Sequence, residues 1–138
     1  MKKTLLFSTI FVILHHVIGL GVYYILQQNI MVPTRVIGTV YIVGWGALSF
    51  WLYNNTSMKE HLMYMTIPVV VLFALFVPLA NLLDISMQLM YFAPMFGLAA
   101  MLVYMTTSYA TWKVIAVSII LMILAAWLGA KMKQNESV

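Results

Sequence analysis

His15 and His16 stand side by side near the middle of an apolar run that extends from Leu5 to Leu26. An imidazole at that depth in a membrane-crossing segment faces protein or water rather than lipid tails, so the pair is a candidate intramembrane polar site. One ring could ligate a haem or a metal, or relay a proton. Neighbouring positions on a helix point about 100° apart, so both rings cannot serve one narrow face. The plainer reading is a pair of neutral rings hydrogen-bonded to carbonyls or hydroxyls of adjacent helices. A bis-histidine haem needs a second ligand at matching depth, and the only other histidine, His61, lies at the end of an apolar run. The sequence therefore predicts no cofactor and no metal.

The remaining polar and special residues read more simply. Asp84, in Asn81-Leu82-Leu83-Asp84-Ile85-Ser86, could couple to protons if it lay within the bilayer, but its neighbours fit a turn or a helix cap better. Pro68, Pro78 and Pro94 interrupt apolar runs; each frees a carbonyl, which neighbouring helices commonly satisfy in membrane bundles. Ala93 and Gly97 are four residues apart, as are Ala125 and Gly129, and Ala126 and Ala130. That spacing lets helix backbones approach closely, and Gly38, Gly44 and Gly46 thin a second segment without the strict interval. Two overlapping glycosylation sequons at Asn54 and Asn55 read as chance matches in a loop expected to face the cytoplasm. The 12 methionines form no repeated motif and fit flexible apolar filler.

These residues sit in a chain that is 64% hydrophobic and 7% charged over 138 residues, with a mean hydropathy of +1.02. Soluble domains carry roughly a quarter charged residues, so the composition implies a polytopic membrane protein. A chain in hydrocarbon must close its own backbone hydrogen bonds. Continuous apolar runs of about twenty residues fit helices, whereas a barrel would alternate in segments of about ten. The fold expected is all-α, a transmembrane helical bundle forming one integral membrane domain over 1–138. Five spans, about 5–26, 36–53, 62–83, 87–105 and 112–129, are preferred. Four spans plus a re-entrant or interfacial segment is the alternative. Pro33 suits the entry to the second span. The first run shows no small-residue cleavage site and reads as an uncleaved span.

The net charge of +4 is carried at segment ends, beside Tyr and Trp residues such as Trp51, Tyr53, Tyr64 and Trp112, as an interfacial belt requires. With five spans and a cytoplasmic start, Lys2, Lys3, Lys59 and Lys113 lie inside, and Arg35, Lys131 and Lys133 outside, a narrow majority for the positive-inside rule. The four-span arrangement divides the charges more sharply. No basic face of the kind nucleic acid requires is present. Zero cysteines exclude disulfides and thiolate chemistry. No nucleophile motif or zinc-protease motif occurs, so the chain is not expected to be an enzyme. What is left is a small plasma-membrane protein, bacterial in character, that acts through lateral helix contacts. Its partners would be the lipid bilayer and either a membrane protein or further copies of itself. It would serve as an accessory, assembly, immunity or regulatory subunit. The alternative is a small oligomeric transporter or channel with His15 or His16 lining the pathway.

Overall fold

A computed structural model of the chain describes residues 2–25, 31–54, 56–82 and 111–136, and within them the side chains of 2–15, 17–18, 38–54, 56–72, 74–75 and 116–136. All regular structure among these residues is helical. The four helices are α1 (Lys2–Ile25), α2 (Met31–Leu52), α3 (Met58–Leu82) and α4 (Thr111–Glu136). Each begins or ends a turn or more outside the apolar run that announces it. Polar residues such as Lys2, Lys59 and Lys131 extend the helices without being apolar themselves.

Local chemistry sets the ends. Pro33 lies in the first turn of α2, where the missing N–H has no helical acceptor to lose. Ser57 precedes α3, and its carbonyl accepts the first helical bond from His61 N–H at 2.9 Å. Glu60 stands three residues after Ser57, the spacing of a capping box, and its charge favours the helix N-terminus. Between α2 and α3 the chain turns tightly. Tyr53 N–H closes the last turn of α2 on the Ser49 carbonyl, and Tyr53 Oη–H donates to the Thr56 carbonyl at 3.1 Å.

Contacts along the helices fix their directions. Phe7 meets Trp51, Phe11 meets Trp45, and His15 meets Tyr41, so α1 and α2 are antiparallel. The short turn makes α3 antiparallel to α2 and hence parallel to α1. Gly46 abuts Ala125, Ser49 bonds Ala126, and Lys133 sits over the Phe50 ring, so α4 runs parallel to α2. The neighbours around the bundle are α1, α3, α4, α2 and back to α1, which places the consecutive helices α2 and α3 on a diagonal. The all-α expectation holds. In five successive antiparallel spans the fifth would oppose the second, whereas α4 runs with α2. The expected segment 87–105 lies outside the described residues.

A shared cluster of Val12, Tyr41, Trp45, Met65, Val69, Met122 and Ala126 fills the centre, one or two residues from each helix. The buried stripe of α1 is Thr4, Ser8, Val12 and His15, spaced by three and four residues as one helix face demands. Ser8 has a second task. Pro68 has no N–H, so the Tyr64 carbonyl four residues earlier loses its helical donor. The Ser8 hydroxyl is shared between its own Leu5 carbonyl (3.0 Å) and that Tyr64 carbonyl (3.3 Å). A proline defect in α3 is thus answered from α1. Replacing Ser8 with alanine is expected to lower stability by about 1 kcal/mol. The loss should shrink when Pro68→Ala restores the missing N–H, a coupling that a double-mutant cycle of unfolding in mild detergent measures.

The outer faces carry the large apolar side chains. Leu6, Ile10, Ile13, Leu14, Val17 and Ile18 line the exposed side of α1, and Val40, Val43, Val70, Val71, Leu75, Ile120, Leu124 and Leu128 are exposed on the other three helices. Among the described residues one stretch, Ala116–Glu136, is long and apolar enough to cross a membrane, and Gly38–Leu52 is a shorter apolar stretch.

Candidate functional site

Two polar levels occupy the bundle interior. The first is built on α1 and α2. Position 15 falls on the buried stripe of α1, and the antiparallel crossing brings it beside position 41. The His15 ring lies over the Tyr41 ring, with centroids 3.5 Å apart and planes tilted 31°. Phe11 and Trp45 continue the aromatic packing, at 5.3 and 6.1 Å from the Tyr41 ring. Tyr41 is almost fully buried, and its hydroxyl has no hydrogen-bond partner among the described residues.

The second level lies near the turn and joins three helices. Ser49 on α2 and His61 on α3 stand one helical turn either side of the 53–57 turn. Both point into the interior, at 0% and 2% exposure. Ser49 Oγ is 2.6 Å from the Ala126 carbonyl of α4 and 2.8 Å from His61 Nε2. A hydroxyl has one proton, and a carbonyl can only accept. The Ser49 proton therefore goes to Ala126, and His61 Nε2–H donates to Ser49 Oγ. This network assigns the Nε2–H tautomer and leaves Nδ1 as a buried acceptor without a partner among the described residues. Tyr53 packs edge-on against the imidazole at 5.2 Å.

This arrangement is a clamp rather than an activated nucleophile. A general base would have to present a lone pair to the serine proton, and here the imidazole donates while the serine proton is held by a backbone carbonyl. Among the described residues no three His, Cys, Asp or Glu side chains converge to hold a metal.

No family model, curated protein or solved structure matches this chain.

The structure distributes the residues singled out from the sequence unevenly. His15 is inside, against Tyr41, while the His16 side chain lies outside the described residues. Ala125 and Gly129 face α2, with an added Gly46 Cβ falling 3.2 Å from the Ala125 carbonyl oxygen. Ala93, Gly97, Pro94 and Asp84 lie outside the described residues. Ser8, Tyr41, Ser49 and the partnership of His61 escaped the sequence reading. Their signals were present: Ser8 is seven residues from His15, and Ser49 and His61 are placed almost symmetrically about Tyr53–Ser57.

Proposed function

We propose that this chain is an integral membrane protein with four crossings, α1 to α4, that works through lateral contacts of its helices as an accessory, assembly, immunity or regulatory subunit. The observation that carries the reading is the radial order of side chains. Large apolar residues cover the outside of every helix, while Ser8, Ser49, Ser118, His15 and His61 are inside. Contiguous exposed apolar surface of this kind is a liability in water and an advantage in hydrocarbon or against another apolar helix. Small and hydrogen-bonding residues are the ones that hold membrane helices together. The parallel course of α2 and α4 supports an even number of crossings. A cytoplasmic start of α1 then agrees with the positive-inside rule far better than five spans allow. A lateral surface is available on α3, where Met63, Thr66, Ile67, Val70 and Val71 form a shallow apolar groove.

Purification in mild detergent followed by mass measurement tests the role. A complex containing a second membrane protein is the expected outcome, and a homogeneous ring of this chain alone would overturn it. That result would favour the transporter reading, which rests on the buried His15 ring against Tyr41. Under the subunit reading, His15→Gln leaves the complex intact. Under the transport reading, it abolishes flux across proteoliposomes while the protein still inserts.

A further inference from the structure

The helix directions bring distant charges to one end of the bundle. The start of α1, the turn before α3 and the end of α4 share that end, which therefore carries Lys2, Lys3, Lys59, Lys131 and Lys133 against Glu60 and Glu136. Arg35, at the start of α2, and Lys113, at the start of α4, belong to the opposite end. Five of the seven cationic residues of the chain are thus gathered on one face. Lys133 is engaged, 3.4 Å from the Glu136 carboxylate and over the Phe50 ring. Lys2, Lys3, Lys59 and Lys131 are exposed and make no ion pair among the described residues, Lys131 donating a surface hydrogen bond to Gln134 Oε1 at 3.1 Å.

A second observation places lipid beside them. Trp51 and Trp127, near the same end of α2 and α4, turn outward and are 65% and 41% exposed. Tryptophan at that position fits the head-group layer, with its ring in the apolar boundary and its N–H in the polar zone. We infer that this end of the bundle binds the head groups of anionic phospholipids, with Lys2, Lys3, Lys59 and Lys131 as the contacting cations. The inference rests on the membrane reading above. It goes further by naming the lipid chemistry and the side chains. The four cations come from three helices, α1, α3 and α4, so they engage several head groups of one leaflet rather than a single phosphate.

Two measurements on the full chain test it. The absence of cysteine lets single cysteines be introduced at Asn54 and Asn135 and probed with an impermeant maleimide in intact cells and in inverted vesicles. Positions 54 and 135 should label from the same face; labelling from opposite faces overturns the inference. In the second measurement, protein in mild detergent is given equal phosphatidylglycerol and phosphatidylcholine, and the retained lipid is identified by native mass spectrometry. The wild-type chain should prefer phosphatidylglycerol. The fourfold variant with Lys2, Lys3, Lys59 and Lys131 changed to Gln should lose that preference by roughly tenfold or more. The matching fourfold Arg variant and Lys113→Gln should keep it. Equal retention of both lipids by the wild-type chain, or an unchanged preference in the Gln variant, overturns the inference while leaving membrane insertion standing. Release of the chain from membranes by alkaline carbonate alone would remove the membrane reading itself.

Discussion

Gly129→Ala is expected to cost about 3 kcal/mol of unfolding free energy, at the upper end of what overpacking produces. A Cβ on Gly129 would collide with the Gly46 carbonyl oxygen and lie 2.9 Å from its carbon and 3.0 Å from the Phe50 nitrogen. All three are backbone atoms of α2, so none can rotate aside. Relief requires α2 and α4 to separate, and that separation strains the Ser49–Ala126 bond as well. Two glycines nearby supply graded controls. At Gly46 the closest atom is the Ala125 carbonyl oxygen at 3.2 Å, again backbone but less crowded. At Gly44 it is the far edge of the Phe11 ring at 3.1 Å, which a small rotation moves. The expected order of destabilisation is Gly129, then Gly46, then Gly44, with Gly44→Ala below about 1 kcal/mol. Urea or thermal unfolding in mild detergent, followed by tryptophan fluorescence, measures all three. An equal or smaller loss at Gly129 than at Gly44 would refute the close approach of the two helices.

Ser49→Ala should cost about 2 kcal/mol, and more than His61→Leu. The serine variant leaves the His61 N–H buried with no acceptor. The histidine variant leaves Ser49 still donating to Ala126 and lacking only a second partner, and an under-used acceptor is tolerated better than an orphaned donor.

Much of the helical content was legible from apolar runs, because run length and helix length report the same constraint on burying a backbone. Pro33 marked the entry to α2, whereas Ser57 and Glu60 stood in a stretch that reads as a polar loop, and their role at the entry to α3 went unseen. Helix direction was not legible. An apolar run from Trp112 to Gly129 reads the same whichever way it is traversed, and only contacts between Gly46 and Ala125 and between Ser49 and Ala126 orient it. The small residues were visible as separate intervals on two segments, but an interval does not name its partner. His61 was set aside because it stood at a run boundary. Its importance comes from a diagonal crossing that brings it to Ser49, and no local pattern encodes a diagonal. Pro68 was correctly seen to free a carbonyl; that the donor would be Ser8 depends on which helix lies alongside.

The tight seam between α2 and α4 joins segments made far apart in time. Ser49 and Ala126 are separated by 77 residues, so at a synthesis rate of roughly 5–20 residues per second the glycine face of α2 waits several seconds for its mate. During that interval Gly46 and Ser49 offer a bare, narrow surface to any passing helix. A chain that stopped short of Ala126 would leave this surface uncovered, so the face of α2 is closed only after α4 has been made.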